Sequence, residues 1–367
     1  MPELTPDERR RYGRHLVIPE VGEAGQLRLK AGSALVVGAG GLGSPTLLYL
    51  AAAGLGRIGI VEFDTVDESN LQRQVLYGTG DIGRAKIDVA RARIAEVNPH
   101  VAVEPHAVRL DATNVLDLVS RYDLVIDGTD NFAARYLVND ACVIAGRPNV
   151  YGSVFRFEGQ LSVFATKDGP CYRCLHPEPP PPGVIPGCSE AGVLGVLPGL
   201  VGLLQATEAI KIIAGLGDPL IGRLLLIDAL APRFREIRLP KDPECPVCGT
   251  HPSITEPVEY TLLCGDLPVE DASEITAEEL RRRIASREPL LLLDVREPGE
   301  HAIDAIAGSR LVPLGQLASH LDDIPRDRPI AAYCAAGMRS ARAAKMLRDK
   351  GFQAVSLKGG IAAWRGR

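Results

Sequence analysis

A glycine-rich turn near the N-terminus limits the folds open to this chain more than any other feature. Residues 38–43 read GAGGLG, and they lie between an apolar run at residues 33–37 and a helical pattern at residues 44–53. Glycines at a strand-to-helix turn let the backbone approach a phosphate, and the helix N-terminus presents unpaired N–H groups to it. The turn therefore predicts a nucleotide site with backbone ligands at Gly38, Gly40, Gly41 and Gly43.

The segments around this turn predict the fold class. Residues 58–63 and 124–127 are further apolar runs typical of buried strands, and residues 86–97 carry apolar positions at helical spacing. Alternating strands and helices predict an α/β domain with a mostly parallel sheet and helices on both faces. Residues 160–165 and 224–228 are candidates for additional strands.

The chain of 367 residues is long enough for two or three domains. From the change in pattern along the sequence, we predict a first domain at residues 1–250, a linker at 251–272 and a second domain at 273–367. The second domain begins with a capping-box sequence at Thr276 and has apolar strands at residues 290–295 and 330–333. About 95 residues of α/β pattern are enough for an independent core.

Composition argues against several classes of function. The net charge is −5 and aromatic residues make up 5%, which disfavours nucleic-acid binding, because that needs clustered cations or stacking platforms. The charged N-terminus lacks the apolar core of a signal peptide, and polar residues and a proline interrupt the apolar stretch at residues 192–217. We expect a buried helix there and no membrane span. A cytoplasmic location follows, in which the eight cysteines are thiols, metal ligands or catalysts.

Charged residues after the predicted strands indicate phosphate chemistry. Asp64 follows the second strand, where a carboxylate takes ribose hydroxyls in nucleotide-binding folds. Arg73 and Lys86 could hold a triphosphate, and Asp130 could hold a magnesium ion. NAD is the plain alternative for a glycine-rich turn. Hydride transfer needs no such set of cations and acids, whereas phosphoryl and nucleotidyl transfer do.

Three motifs give the first domain a specific resemblance. The glycine turn, the stretch SNLQRQ at residues 69–74 and the stretch DNFAARY at residues 130–136 resemble the ubiquitin-activating-enzyme-like adenylyltransferases. The molybdopterin-synthase group is most similar, followed by the thiamine sulfur-carrier adenylyltransferases. The resemblance covers residues 5–250 and implies a Rossmann-like adenylyltransferase domain. In that family, the C-terminal glycine of a ubiquitin-like protein attacks the ATP α-phosphate, giving an acyl adenylate and pyrophosphate.

The resemblance also implies roles for particular residues. ATP would be bound by the glycine turn together with Asp64, Ser69, Asn70, Arg73, Lys86, Asp130 and Asn131. Asp130 is the expected magnesium ligand. Arg14 matches the family arginine that reaches the ATP of the other subunit, which implies a homodimer. From the sequence alone, a surface helix charge is the simpler interpretation of Arg14.

Two Cys-x-x-Cys pairs are candidates for a metal site. Cys171 and Cys174 form the first pair, and Cys245 and Cys248 form the second. Two such pairs can supply four thiolates to a tetrahedral zinc ion, and a redox pair is the alternative. The family resemblance matches all four cysteines to a structural zinc site. Such a closed site would hold the end of the first domain to its body without taking part in catalysis.

Cys188 lies in the loop sequence PGCSEAG after a run of prolines. A lone loop cysteine is usually a spectator, but the resemblance implies that Cys188 takes part in acyl or disulfide chemistry with the carrier protein. Cys142 lies in an apolar helical pattern and is interpreted as a packing residue, and Cys264 receives no role.

Cys334 lies in the turn CAAGMRS, between a predicted strand and a helix. Backbone N–H groups at a helix N-terminus favour a thiolate or persulfide anion, and Arg339 would add positive charge. A buried structural cysteine is disfavoured, because a polar turn with glycine and arginine makes a poor core. This turn, the stretch LDVRE at residues 293–297 and the C-terminal stretch GGIAAW resemble the rhodanese family from residue 273 onward.

The rhodanese resemblance implies that Cys334 carries a persulfide and that Asp294 and Arg296 are structural. Ala335 departs from the family, where arginine is frequent, so transfer from free thiosulfate is expected to be slower or the donor to differ. Taken together, the two resemblances predict ATP-dependent activation of a sulfur carrier ending in Gly-Gly, followed by persulfide transfer to give a thiocarboxylate. The sulfur donor that the resemblance implies is a cysteine desulfurase persulfide or thiosulfate.

Several alternatives stay open at this point. The chain could be an NAD-dependent oxidoreductase, or a zinc-stabilised scaffold that binds a carrier without turnover. The rhodanese block could also be merely regulatory. The carrier could serve molybdopterin, thiamine, cysteine or tRNA thiolation, and the sequence does not choose among these pathways.

Overall fold

The computed structural model describes residues 3–179, 192–259 and 273–366. The chain divides into two compact units, residues 1–264 and 265–367. Each unit has its own sheet and its own hydrophobic clusters.

The first unit contains an eight-stranded sheet. Its strands are β1 (Ser33–Val37), β2 (Arg57–Val61), β3 (Ala102–His106), β4 (Leu124–Asp127), β5 (Asn149–Phe155), β6 (Glu158–Phe164), β7 (Arg223–Asp228) and β8 (Arg233–Arg238). Its α-helices are α1 (Pro6–Arg11), α2 (Gly13–Leu16), α3 (Gly22–Ala31), α4 (Gly43–Ala53), α5 (Lys86–Val97), α6 (Val115–Ser120), α7 (Phe132–Ala145), α8 (Tyr172–Leu175) and α9 (Val196–Ala214).

The strand order in this sheet is β3-β2-β1-β4-β5-β6-β7-β8. The first five strands in this order are parallel, which confirms the parallel sheet predicted for the first domain. The last three continue the sheet in antiparallel pairing. The two additional strands predicted after residue 150 are therefore present as β6 and β7, joined to the parallel half through β5.

The apolar segment before residue 217 forms the long helix α9, as predicted. By length and composition alone this helix could cross a membrane, but it packs against α4 and the sheet of its own unit. Gly202 permits the close approach, because a Cβ there would lie 2.3 Å from the carbonyl oxygen of Leu42. Thr46 adds a hydrogen bond from its hydroxyl to the carbonyl oxygen of Gly202, at 2.9 Å.

The second unit contains a five-stranded parallel sheet of order β11-β10-β12-β13-β9. Its strands are β9 (Glu274–Ile275), β10 (Leu291–Asp294), β11 (Arg310–Leu311), β12 (Ile330–Tyr333) and β13 (Ala354–Leu357). Its α-helices are α10 (Ala277–Ala285), α11 (Pro298–Ile303), α12 (Met338–Asp349) and α13 (Gly360–Trp364). Thr276 caps α10 by accepting a hydrogen bond from the amide of Glu279, as the capping-box sequence predicts.

Candidate functional site

The carboxyl ends of β1, β2 and β4 open into one pocket of the first unit. Ligands of parallel α/β sheets bind at this edge, where the strand order reverses. Among the residues that line the pocket are Gly38, Gly40, Gly41, Glu62, Asp64, Arg73, Gln74, Lys86, Arg109, Asp130, Asn131, Arg135, Pro198 and Glu259. The wall thus combines a glycine turn with cations and acids.

The glycine turn requires glycine at two positions. Gly38 has φ +89°, and a Cβ there would lie 3.0 Å from the carbonyl oxygen of Gly128. A Cβ at Gly43 would lie 1.9 Å from the carbonyl oxygen of Gly38, so no side chain fits. Helix α4 begins at Gly43, and no side chain caps its N-terminus. The amide of Ser44 already donates to the carbonyl oxygen of Gly40 at 2.9 Å, and Pro45 has no N–H. The backbone donors that this wall can offer an anion therefore belong to the glycine turn before α4.

Two buried side chains hold the turn from outside. The carboxylate of Glu62 accepts the amide of Ala39 at 3.0 Å and the amide of Phe63 at 2.9 Å. The hydroxyl of Tyr77 donates to the carbonyl oxygen of Ala39 at 2.8 Å. Burial raises the pKa of Tyr77, which keeps the hydroxyl protonated as a donor. The peptide of Ala39 is therefore fixed on both sides.

The cations of the pocket are also positioned by neighbours. Lys86 is 5% exposed, and its ammonium group lies 3.3 Å from a carboxylate oxygen of Asp64. Arg73 donates to the carbonyl oxygen of Ser69 at 3.0 Å. Asp130 is exposed at the end of β4, and the side chain of Asn131 caps α7 by accepting the amide of Ala134. The charges are thus arranged around a concave space that a polyphosphate can enter.

A buried polar layer lies beneath this wall. Arg135 is buried, donates to the carbonyl oxygen of Thr129, and places its guanidinium over the rings of Tyr151 and Tyr172. The carboxylate of Asp127 accepts the amide and the hydroxyl of Thr129, and burial raises the pKa of Asp127. Both contacts fix the backbone at Thr129, immediately before Asp130.

The four cysteines of the Cys-x-x-Cys pairs meet in the first unit. Their sulfur atoms all lie within 4.8 Å of one another, with 3.5 Å between Cys171 and Cys245 and 3.4 Å between Cys174 and Cys248. A hydrogen bond from Cys171 lowers the pKa of Cys174, and the same bond raises the pKa of Cys171. Apolar side chains, including Val247 and Val143, surround the group.

This geometry fits a zinc ion. Zn–S bonds of about 2.3 Å in a tetrahedron give sulfur–sulfur edges of roughly 3.8 Å, close to the separations present here. The turn after Cys245 is tight enough to aim both of its thiols at one point, since a Cβ at Gly249 would lie 2.5 Å from the carbonyl oxygen of Cys245. A redox pair would not need the second pair beside it.

Removing the metal or a ligand is expected to destabilise the first unit. The site joins segments 74 residues apart, and a cross-link closing a loop of that length stabilises a fold by about 4 kcal/mol through loop entropy. We expect Cys248→Ser or a strong chelator to lower the free energy of unfolding by that order. Denaturant unfolding combined with elemental analysis measures this, and Cys142→Ala is the matched control. Purified protein without bound zinc, or unchanged stability in Cys248→Ser, would contradict the assignment.

In the second unit, Cys334 directly follows β12, and its sulfur lies at the N-terminus of α12. The amide of Gly337 donates to the sulfur at 3.1 Å, and the hydroxyl of Ser340 lies 3.6 Å from it. Gly360 closes the turn from the other side, because a Cβ there would lie 2.4 Å from the carbonyl oxygen of Cys334. Cys334 is therefore 2% exposed. The expectation that it is not a buried cysteine is wrong, because the turn folds back over its own thiol.

The charges around this turn are paired. Arg339 makes two hydrogen bonds of 2.7 Å to the carboxylate of Glu300, so it does not add the unbalanced positive charge that the sequence suggested. Asp294 is fully buried and accepts hydrogen bonds from Arg296 and His301. Burial opposes ionisation of Asp294, but these hydrogen bonds lower its pKa. Asp294 and Arg296 form a buried ion pair, which is compatible with the structural role expected of them.

Comparison with known proteins finds a matching family model for each of the two units. A model of the ThiF family matches residues 12–247, and a model of the rhodanese-like domain matches residues 276–367. The chain belongs to the ThiF family. The ThiF domain carries the glycine-turn pocket and the cysteine cluster, and the rhodanese-like domain carries Cys334.

Individual relatives agree with this assignment. The probable adenylyltransferase/sulfurtransferase MoeZ of Mycobacterium tuberculosis is 51% identical over 98% of this chain and 94% of its own length. The sulfur carrier protein adenylyltransferase of Thermus thermophilus is 53% identical over 71% of this chain and 98% of its own length. The crystal structure of Escherichia coli MccB with ATP shares the fold, with a TM-score of 0.57, 23% identity, and coverage of 65% of this chain and 73% of MccB.

The predicted class is confirmed: the chain is an enzyme that joins an adenylyltransferase to a sulfurtransferase. The ThiF family implies the use of ATP, and the NAD interpretation loses its basis.

The ThiF pocket brings together most of the predicted nucleotide ligands. Its wall includes Gly38, Gly40, Gly41, Asp64, Arg73, Lys86, Asp130 and Asn131. Gly43, Ser69, Asn70 and Arg14 are not among the residues that line it. Gly43 packs beneath the turn, and Ser69 and Asn70 form a short 3-10 helix whose carbonyl groups hold Arg73. Arg14 is exposed on α2, and Cys188 lies outside the described residues.

Several pocket residues were missed by the sequence analysis. Glu62 stands directly after β2 and lines the pocket together with Asp64, two residues further on. Arg135 lies within the quoted stretch DNFAARY and received no role. Gln74 ends the quoted stretch SNLQRQ and also received no role. Arg109, Pro198 and Glu259 come from distant segments, and only the fold brings them to the pocket.

Proposed function

We propose that this enzyme activates the C-terminal glycine of a ubiquitin-like sulfur carrier with ATP and then converts it to a thiocarboxylate. The arrangement that carries the proposal is the glycine turn before α4, which lines the same pocket as Arg73, Lys86 and Asp130. A glycine turn with two cations suits a polyphosphate, and an exposed carboxylate beside them suits a divalent cation. The presence of a cysteine turn on the same chain supports the second step.

In the first step, the carrier carboxylate attacks the α-phosphate of ATP. A bond forms between a carboxylate oxygen and that phosphorus, the bond to the bridging oxygen breaks, and pyrophosphate leaves. Negative charge builds up on the phosphate oxygens, where Arg73, Lys86 and the amides of the glycine turn would stabilise it. Asp64 would orient Lys86 through their ion pair and hold the ribose.

Magnesium is assigned to Asp130, whose exposed carboxylate stands at the mouth of the pocket. The ion would offset phosphate charge when bound. Asn131 would assist ATP binding through the amide nitrogen that its helix cap leaves available. Arg14 is the exposed residue of the four-residue helix α2, which suits the proposed reach to the ATP of a second subunit in a homodimer.

In the second step, a persulfide on Cys334 attacks the carbonyl carbon of the acyl adenylate. A carbon–sulfur bond forms, the carbon–oxygen bond to AMP breaks, and AMP leaves with the electron pair. A thiol then reduces the resulting acyl disulfide, releasing the thiocarboxylate and leaving a disulfide with Cys334. We propose Cys188 as the thiol of this step, or as the residue that first accepts the acyl group. We also propose that the enzyme is cytoplasmic.

The central test is ATP–pyrophosphate exchange in the presence of magnesium and a small ubiquitin-like protein ending in Gly-Gly. We expect exchange that depends on both the carrier and magnesium, because the reversible step needs the acyl adenylate. The matched control is the same carrier with its terminal glycine removed, which should give none. A scaffold without turnover would bind the carrier and show no exchange, and exchange without any carrier would contradict the assigned nucleophile.

A further inference from the structure

The turn that holds Cys334 contains a single charged residue. Residues 334–340 read CAAGMRS, so Arg339 is its one cation, and Ala335, Ala336 and Met338 are uncharged. Ala336 and Met338 are exposed and form the outer surface of the turn. A sulfur donor that approaches the turn therefore meets small and apolar side chains first.

Arg339 is engaged by an acid from another element. Both terminal nitrogens of its guanidinium lie 2.7 Å from the carboxylate oxygens of Glu300 on α11. The two side chains are 11% and 27% exposed, so water screens the pair only in part. A two-point contact of this kind fixes the plane of the guanidinium as well as its charge.

Glu300 is itself held in place. Its carboxylate also accepts the amide of Glu297 at 3.0 Å, at the N-terminus of α11. Burial alone would raise the pKa of Glu300, but the hydrogen bonds from Arg339 and from this amide lower it, so the group stays ionised. Arg339 therefore faces a fixed negative charge on Glu300. The other buried acid of this region, Asp294, forms its ion pair with Arg296.

Sulfur donors differ in the charge that they bring to such a site. The Cys334 thiolate attacks the outer sulfur of the donor, a new sulfur–sulfur bond forms, and the donor's own sulfur–sulfur bond breaks. Thiosulfate arrives as a dianion and its leaving group is sulfite, whereas the persulfide of a thiol arrives with one charge and its leaving group is a thiolate. Thiosulfate therefore gains more from a nearby cation.

We propose that Glu300 is a specificity-determining residue of the rhodanese-like domain. By neutralising Arg339, it makes the Cys334 site selective for thiol persulfides and slow with thiosulfate. The inference rests on the proposed sulfur step, and it adds a residue outside the cysteine turn that controls which donor is used.

The test measures the second-order rate constant for persulfide formation on Cys334 in the full chain, by rapid quenching, alkylation and mass spectrometry. The donors are thiosulfate and cysteine persulfide. In Glu300→Gln, the negative charge beside Arg339 is removed, while the side-chain amide oxygen of the glutamine can still accept the Glu297 N–H. We expect the rate constant with thiosulfate to rise about tenfold, because one negative charge that repels the dianion is removed from the site. The rate constant with cysteine persulfide should change less than about twofold.

Two further variants keep the test decisive. Glu297→Gln removes the same charge from an exposed position three residues earlier and should leave both rate constants unchanged. Ala335→Arg adds a cation and leaves the ion pair in place, and it should also raise the rate constant with thiosulfate. This variant replaces Glu300→Gln as the test of charge if Glu300→Gln folds poorly. The gain with thiosulfate should shrink between about 50 mM and about 500 mM salt, since screening weakens a charge effect and not a structural one.

The outcomes separate this inference from the proposed function. Normal persulfide formation with an unchanged donor ratio in both Glu300→Gln and Ala335→Arg would overturn the role of Glu300 and leave the sulfur step intact. Absence of a persulfide on Cys334 with either donor, in every variant, would overturn the proposed sulfur step and this inference with it.

Discussion

Cys334→Ser is expected to abolish formation of the carrier thiocarboxylate and to leave ATP–pyrophosphate exchange at the wild-type rate. Serine has no sulfur atom on which a persulfide can form. We therefore expect the rate of thiocarboxylate formation to fall by more than about 10³-fold, typical of removing a nucleophile. The residues that line the pocket proposed for adenylylation all belong to the first unit, and Cys334 belongs to the second. Mass spectrometry of the carrier after incubation with ATP and a persulfide donor measures the first quantity.

The control for this variant is Cys142→Ala. Cys142 is fully buried in α7, and burial raises the pKa of its thiol, so it is not expected to react. Cys142→Ala should keep both activities. If Cys334→Ser still converts the carrier at the wild-type rate from a persulfide donor, sulfur reaches the acyl adenylate without the rhodanese-like domain, and the two-step scheme is wrong.

Much of the fold could be predicted because its local signals agree with its tertiary structure. The turn at residues 38–43 needs glycines because its backbone comes very close to itself. A Cβ at Gly43 would lie 1.9 Å from the carbonyl oxygen of Gly38, which shows this constraint directly. The helix predicted at residues 86–97 begins and ends at those residues. The antiparallel direction of β6 to β8 was not evident, because an apolar run gives no information about its neighbour in the sheet.

The site could be predicted only where a motif is continuous in sequence. Arg73 and Lys86 belong to quoted or adjacent stretches, and they line the pocket. Arg109 and Glu259 come from segments without any pattern, and long-range packing alone brings them to the same wall. Arg339 shows a different limit: its position beside Cys334 was evident, but its charge is neutralised by Glu300, which lies 39 residues earlier.

Lys86→Met is expected to reduce carrier-dependent ATP–pyrophosphate exchange by about 10² to 10³-fold, the usual effect of removing one preorganised charge from a developing oxyanion. Methionine keeps most of the length and apolar volume of the buried side chain. The carboxylate of Asp64 that loses its partner is 55% exposed and remains hydrated, so the fold should be retained. Exchange assays with labelled pyrophosphate measure the rate of ATP–pyrophosphate exchange, and thermal unfolding shows whether the variant is folded.

Two comparisons decide how Lys86 acts. Lys211→Met removes a lysine from α9 that pairs with Glu208 away from the pocket, and exchange should be unaffected. Asp64→Asn keeps the ammonium group but removes the ion pair that orients it, so a smaller loss is expected. If Asp64→Asn is as inactive as Lys86→Met, the ion pair or the ribose contact matters more than the charge on phosphate. Full exchange in Lys86→Met would show that Lys86 does not stabilise the transition state. Arg73 and the glycine turn would then have to stabilise the phosphate charge without a lysine.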